Sequence, residues 1–220
     1  MTKIKICGIT SLQDALEACN AGADALGFNF STSSPRMIDP EHAKAIVDKL
    51  PPFISSVGIF VDQSPREISE LCRFCRLDIA QLHNEHYSAQ QAQSIKEAKI
   101  IKVFRPEKNF DVAEVFEFAE ESGVNTFLFD AYQPGIAGGT GKCIGTSLAA
   151  CIIGKLNEKP GDGLYAILAG GLNDTNVGEA IRQIRPYGVD TASGVEKAPG
   201  IKDAEKIKAF IRAVRQDSVR

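Results

Sequence analysis

Two side chains stand where this chain could move protons: a thiol near its start and a carboxyl past its middle. Cys7 closes the apolar part of Lys5-Ile6-Cys7-Gly8-Ile9-Thr10, and Asp130 closes Phe127-Leu128-Phe129-Asp130. In a sheet of parallel strands, catalytic groups gather at the carboxyl ends of the strands. A thiol there can act as base or nucleophile if its pKa is lowered. A reference thiol, near pKa ~8.5, is mostly protonated at neutral pH, and an aspartate, near ~3.9, is mostly ionised. For a thiolate base facing a protonated acid, cations or dipoles must lower the first pKa. Burial or negative charge must raise the second.

Other loops supply candidates to work with them. Lys5 shares strand parity with Cys7, so it is expected to point into the same interior and supply positive potential. Arg36, in Ser33-Ser34-Pro35-Arg36, could grip a carboxylate with two parallel hydrogen bonds. His83, ending Gln81-Leu82-His83, is a second source of potential or a hydrogen-bonding support. Gly139 and Gly141 lie in the glycine-rich stretch 135–142, where backbone could approach a ligand and the loop could move. Gly170-Gly171 and Ser193-Gly194 follow the seventh and eighth strand-like runs. Tight turns explain either pair alone. Together they match the phosphate site of eight-stranded α/β barrels, where backbone amides receive the anion.

No metal site is expected. Cys72-x-x-Cys75 followed by His83 and His86 fits no common zinc spacing. Ile68, Leu71, Cys72 and Cys75 instead form one helical face, as do Leu12, Ala15, Leu16 and Cys19, and Leu148, Cys151 and Ile152. Buried free cysteine behaves as a small hydrophobe. No dinucleotide fingerprint or metal cluster is visible, which favours proton transfer between an acid and a base over hydrolysis.

Positioning these groups requires a repeating frame. Strand-like runs fall at Ile4–Ile9, Ala25–Phe30, Ser55–Val61, Ile79–His83, Ile100–Phe104, Thr126–Asp130, Tyr165–Ala169 and Val189–Ser193. Helical patterns lie between them, such as Val177, Ala180, Ile181 and Ile184. Ser64-Pro65-Arg66-Glu67 and Ser88-Ala89-Gln90-Gln91 read as capping boxes, and Asp39-Pro40 as a simpler start. The fourth helix, Ala89 to Ala98, has the weakest face. Eight strand–helix units imply parallel pairing with right-handed crossovers and closure into a (β/α)8 TIM barrel of the α/β class. One domain is expected over residues 1–220. An open doubly wound sheet is the alternative, and it lacks a Gly-x-Gly-x-x-Gly after the first strand.

Composition narrows the partners. The chain has 44% hydrophobic and 24% charged residues and a net charge of -3, with no basic stripe for nucleic acid. No segment reaches the ~20 apolar residues that span a bilayer, and the N-terminus has no signal-peptide pattern. A cytoplasmic protein is expected, with a small phosphorylated molecule as its partner. A barrel of this size can be stable as a monomer, the expected state, with a homodimer left open.

Taken in order, these residues resemble the phosphoribosylanthranilate isomerase family of tryptophan biosynthesis. The resemblance is carried by Lys5 to Thr10, Ser34-Pro35-Arg36, Val57-Gly58-Ile59-Phe60, Gln81-Leu82-His83, Asp130, Gly138-Gly139-Thr140-Gly141, Leu168 to Asn173, Ser193-Gly194-Val195-Glu196, and Pro199-Gly200 with Lys202-Asp203. It implies an Amadori rearrangement of N-(5'-phosphoribosyl)anthranilate, without cofactor. It assigns Asp130 as general acid at the ring oxygen and Cys7 as general base at the sugar C2. It gives Arg36 the anthranilate carboxylate, and the amides around Gly170, Gly171, Ser193 and Gly194 the phosphate.

The sequence departs from the family pattern at Asn84, where glycine is usual, and after Gly141, where an aromatic segment is usual. It reads Lys142-Cys143-Ile144-Gly145 there, and the chain has no tryptophan. Asparagine tolerates a left-handed backbone, so the turn at 84 is expected to survive. Competing readings are weaker. The related histidine-pathway isomerase uses two aspartates, against Cys7. A pentose-phosphate epimerase would want a metal cluster of histidines and aspartates, and the chain has three histidines. A phosphosugar-binding barrel without activity would have had no need of both Cys7 and Asp130.

Overall fold

The computed structural model of the chain describes residues 1–107, 109–130, 146–158 and 163–217. Eight parallel strands close in sequence order into a TIM barrel: β1 (Lys3–Cys7), β2 (Ala25–Asn29), β3 (Ser55–Phe60), β4 (Ile79–Leu82), β5 (Lys99–Phe104), β6 (Thr126–Asp130), β7 (Tyr165–Ala169) and β8 (Gly188–Thr191). The helices are α1 (Leu12–Ala21), α2 (Pro40–Val47), α3 (Pro65–Cys75), α4 (Ala89–Ser94), α5 (Ala113–Ser122), α6 (Thr146–Asn157), α7 (Val177–Ile184) and α8 (Ala204–Asp217).

Strand register decides which side chains share the interior. In parallel pairs, residues opposite one another face the same side. Lys5 pairs with Asp190 and Ala25, Cys7 with Gly27, Gly27 with Val57, Gln81 with Ile101, Val103 with Leu128, and Asp130 with Ala169. These residues point inward together. Ile101, Val103, Leu128, Ile167 and Ala169 form a small apolar cluster on one side of the barrel. The β8–β1 side instead carries Lys5 and Asp190, both buried. The alternate residues, including Phe28, Phe60, Phe127 and Phe129, pack outward against the helices and are fully buried. Each such side chain contributes roughly 1.5–3 kcal/mol of hydrophobic stabilisation.

The expected caps are present. Ser64 and Ser88 close reciprocal capping boxes with Glu67 and Gln91, and Asp39 accepts from the first turn of α2 with Pro40 beside it. Most expected strand ends shift by a residue or two, with β2, β3 and β4 stopping one residue early at Asn29, Phe60 and Leu82; the differences near the site have local causes. β1 stops at Cys7, because Gly8 turns the chain with φ +78°. β8 stops at Thr191, because Ser193–Val195 is a turn of 3-10 helix. α4 ends at Ser94, where Ile95 becomes extended and buries its side chain instead. An antiparallel hairpin of β9 (Glu196–Ala198) and β10 (Ile201–Lys202), absent from the sequence reading, follows β8.

Cys72 and Cys75 are buried on the inner face of α3, as the spacing implies, and burial pushes their thiols up to about 12 and about 11. Cys151 is exposed, against the expectation of a buried face. α6 buries Ala149, Ile152, Ile153 and Leu156, a stripe that leaves Cys151 outside it. Asn84 keeps its turn without the left-handed backbone expected of it. Its amide donates to the Val61 carbonyl at 3.1 Å, and its oxygen accepts from the His86 N–H at 3.0 Å. The buried Lys102 ammonium ties the same loop down, donating to the carbonyls of Asn84, Glu85 and Tyr87 at 2.9, 3.1 and 3.1 Å.

Candidate active site

Cys7 faces inward at the carboxyl end of β1, with its Sγ beside Gly27. A Cβ at Gly27 would come within 2.9 Å of that sulfur, so the missing side chain on β2 is what gives the thiol its space. One residue-pair deeper, Lys5 donates to Asp190 Oδ1 at 2.8 Å, and both are nearly excluded from solvent. Burial disfavours the Lys5 ammonium, but Asp190 and Cys7 outweigh burial and raise its pKa. Burial also dominates at Cys7 and raises its pKa; Lys5 pulls it down, Asp190 pushes it up, and Lys202 pulls it down. The protonated thiol is therefore favoured. Lys5 supplies positive potential at the thiol, and the Asp190 carboxylate opposes it.

Arg36 lies over the first turn after β1. Its Nε donates to Glu196 Oε1 at 2.8 Å and its Nη2 to Glu196 Oε2 at 2.7 Å. Glu196 Oε1 also accepts from Lys202 Nζ at 2.9 Å, and Lys202 donates to the Ala192 carbonyl at 3.1 Å. The hairpin register sets Lys202 opposite Glu196, which is how a buried lysine and a buried glutamate come together. Burial opposes ionisation of Glu196, but its bonds from Arg36 and Lys202 hold its pKa below the ordinary glutamate value. The hairpin is tied to the β1–α1 region as well: Thr10 donates to the Gly200 carbonyl, and the Lys202 N–H donates to Asp14.

Across the mouth, Asp130 ends β6. Burial raises its pKa, Arg105 opposes that, and Asp190 adds to it. Arg105 Nε sits 3.9 Å from Asp130 Oδ2, a loose ion pair with both side chains partly exposed. His83 follows β4, with Nδ1 3.2 Å from Gln81 Nε2. Burial, then Arg105 and Lys5, push its pKa down to about 4. A neutral imidazole adds no positive potential at neutral pH, so of its two expected parts only hydrogen-bonding support fits.

The loops after β7 and β8 pack on each other. Gly170 and Gly171 have φ +100° and +62°, a backbone that other residues rarely adopt. A Cβ at Gly194 would lie 2.0 Å from the Leu172 carbonyl oxygen, and Thr191 Oγ1 donates to that same oxygen at 2.7 Å. The missing Cβ at Gly194 thus lets the end of β8 close against the loop after β7. Gly139 and Gly141 lie outside the described residues.

The fold therefore brings Lys5, Cys7, Arg36, His83 and Asp130, with Gly170, Gly171, Ser193 and Gly194, to the carboxyl end of the barrel. Asp190, Glu196, Lys202 and Arg105 join them without having been singled out. Asp190 had a readable signal: a carboxylate inside an otherwise apolar strand is rarely buried unless paired. Glu196 and Lys202 stood only among the residues that carry the resemblance, with no role, because their pairing depends on a hairpin too short to read. A separate cavity of about 560 Å³ lies at the opposite end of the barrel, lined by strand starts including Lys3, Lys99, Thr126, Tyr165 and Tyr187. It touches neither Cys7 nor Asp130.

The family model for N-(5'-phosphoribosyl)anthranilate (PRA) isomerase matches residues 4–213. The chain is 68% identical over 216 residues to the N-(5'-phosphoribosyl)anthranilate isomerase of Pelodictyon phaeoclathratiforme, covering 98% of this chain and 99% of that one. Among solved structures it is similar to the phosphoribosyl anthranilate isomerase of Thermotoga maritima, with TM-score 0.82 and 37% identity over 98% of this chain and 100% of that one. It is also similar to a phosphoribosyl anthranilate isomerase in complex with reduced 1-(o-carboxyphenylamino)-1-deoxyribulose 5-phosphate, with TM-score 0.82 and 34% identity over the same shares.

Proposed function

The chain belongs to the N-(5'-phosphoribosyl)anthranilate isomerase family, and on that premise we propose that Cys7 and Asp130 are the base and the acid of its reaction. The reaction is the Amadori rearrangement of N-(5'-phosphoribosyl)anthranilate to 1-(2-carboxyphenylamino)-1-deoxyribulose 5-phosphate, a step of tryptophan biosynthesis. The observation that carries the assignment is placement. Cys7 and Asp130 face one barrel mouth from β1 and β6, strands separated by β7 and β8 in the shorter direction. The glycine-bearing loops follow those intervening strands.

Asp130 protonates the furanose ring oxygen, and the ring opens as the anthranilate nitrogen forms a Schiff base. Cys7 then removes the C2 proton to give an enolamine, which tautomerises to the ketose. The substrate nitrogen is the electron sink, so the chemistry calls for no cofactor. Glu196 engages Nε and Nη2 of Arg36; the anthranilate carboxylate takes the Nη1 edge. Phosphate is received by the amides around Gly170, Gly171, Ser193 and Gly194, with Gly139 and Gly141 as further substrate-binding residues. The raised pKa of Asp130 favours the acid form its role needs. That of Cys7 runs against its role, so neighbouring cations and the positive charge that develops on the Schiff-base nitrogen must favour the thiolate.

We place the enzyme in the cytoplasm as a monomer. A homodimer is the second reading, favoured by one observation: Phe53 is 95% exposed at the rim of the cavity on the far end of the barrel. Sedimentation of wild type beside Phe53→Ser decides between them. For the chemistry, turnover of freshly prepared phosphoribosylanthranilate is followed by loss of its fluorescence. Wild type should turn over rapidly, and Cys7→Ser and Asp130→Asn should each lose several orders of magnitude in kcat. A fully active Cys7→Ser enzyme removes the thiol from the mechanism.

A further inference from the structure

Among the described residues, five charged side chains gather at the β1–β8 end beside Cys7, and they do not cancel; Lys202 reaches it by bonding the Ala192 carbonyl, one residue past the Ile6–Thr191 pair. β1 contributes Lys5, β8 contributes Asp190, the β2–α2 loop contributes Arg36, and the β9–β10 hairpin contributes Glu196 and Lys202. The β2 neighbour Gly27 is uncharged. Further round the mouth stand the neutral His83 and the Asp130–Arg105 pair. Lys5 is matched by its own carboxylate, Asp190. Glu196 is shared: Oε1 accepts from both Arg36 and Lys202 while Oε2 accepts from Arg36 alone. Three cations thus face two carboxylates, and the set is neutral only when Cys7 is a thiolate. Lys202 has no exposed side-chain surface, so water does little to screen it.

We propose that Lys202 is a second cation, beside Lys5, that supports the Cys7 thiolate, and that Glu196 is a positioning residue that limits this support by dividing its charge between Lys202 and Arg36. The assignment goes beyond Cys7 as base and rests on that reading only in its kinetic arm. It makes the two hairpin residues act in opposite directions. Removing the Lys202 charge leaves Glu196 to Arg36 and withdraws the cation nearest to being unmatched, so the thiolate becomes harder to form. Removing the Glu196 charge leaves both cations unmatched, so the thiolate becomes easier to form. That second change also releases Arg36 from its fork and loosens the grip on the substrate carboxylate.

The test is the pH dependence of Cys7 alkylation by iodoacetamide, resolved from the other cysteines by peptide mass spectrometry, with thermal melts to establish that each variant is folded. Lys202→Met should raise the midpoint of alkylation by about one pH unit, and Lys202→Arg should restore it. Glu196→Gln should lower the midpoint while raising KM for phosphoribosylanthranilate about tenfold, the loss of one charge-assisted bond. Shifts in the same direction, or none in folded variants, overturn the proposal. If Lys202→Met does not fold, the wild-type Lys202 ammonium answers by nitrogen NMR. Its resonance should inflect at the Cys7 midpoint and lose that inflection in Cys7→Ser; an unmoved resonance overturns the proposal equally. Alkylation reads the thiol and not turnover, so an active Cys7→Ser enzyme would sink the base assignment and leave this result standing.

Discussion

The Cβ that Gly8 lacks would lie 2.5 Å from Cδ of Arg36. The arginine stem thus occupies the space a side chain at residue 8 would need, one residue beyond the Cys7 thiol. Gly8 also has φ +78°, so two separate requirements meet at one position. Arg36 is in turn fixed by Glu196 on the hairpin after β8. Three loops far apart in sequence therefore set one another's positions around a single strand end.

The first prediction concerns that contact. Gly8→Ala should cost about 1–3 kcal/mol in stability from backbone strain and should raise KM by displacing Arg36. Urea denaturation and steady-state kinetics check the two halves. Wild-type KM in a destabilised Gly8→Ala protein would show that Arg36 does not depend on this packing.

The second concerns Lys5 and Asp190, a pair almost without solvent contact. Lys5→Met leaves a buried carboxylate unpaired and should destabilise the fold by about 3–5 kcal/mol. The double variant Lys5→Met with Asp190→Leu should recover most of that loss, because replacing a whole buried pair is often close to neutral. Chemical denaturation of the two proteins tests this, and equal destabilisation in both would contradict it.

The barrel was legible because its signal is repeated. Each strand is an apolar run with a turn after it, and eight repeats leave few topologies to choose among. The ends of β6 and β7 are read correctly because Asp130 and Gly170 stop the apolar run themselves. β8 is misread because the chain stays apolar or small through Ser193-Gly194-Val195 while its backbone winds into a 3-10 turn. The same blind spot hid the hairpin: Glu196-Lys197-Ala198 and Ile201-Lys202 are too short to show an alternating pattern. Cys7 and Asp130 could be placed by their position at the ends of apolar runs, and Lys5 by its parity with Cys7. Glu196 and Lys202 could not, since their side chains meet through a pairing that only the folded hairpin specifies.

His83 gives a third prediction. Its folded pKa is about 4, below the ordinary value near ~6.5. The unfolded chain therefore binds a proton between those values and the folded chain does not. The stability associated with this group is complete above pH ~6.5 and is lost as pH falls toward about 4. NMR should show a neutral imidazole at pH 5, and His83→Gln should flatten the fall in urea midpoint between pH 7 and pH 5. A His83 ring that titrates near its ordinary value would refute the buried, cation-flanked setting.

The last prediction follows from the two shifts at the proton-transfer groups. Burial raises the pKa of Cys7 and of Asp130 alike. With the thiol still the weaker acid, the reactive combination of thiolate and protonated carboxyl is a minority form of the free enzyme. Its population is level between the two pKa values. It falls below the Asp130 value, because thiolate is lost without any gain of acid, and above the Cys7 value, because acid is lost without any gain of thiolate. A plot of kcat/KM against pH should therefore be a bell, with its alkaline limb at the midpoint of Cys7 alkylation. A change that raises the Cys7 pKa should move that limb upward and lower the plateau together. Measuring both curves on one preparation checks the assignment, and an alkaline limb well below the alkylation midpoint would show that a group other than Cys7 governs the loss of activity.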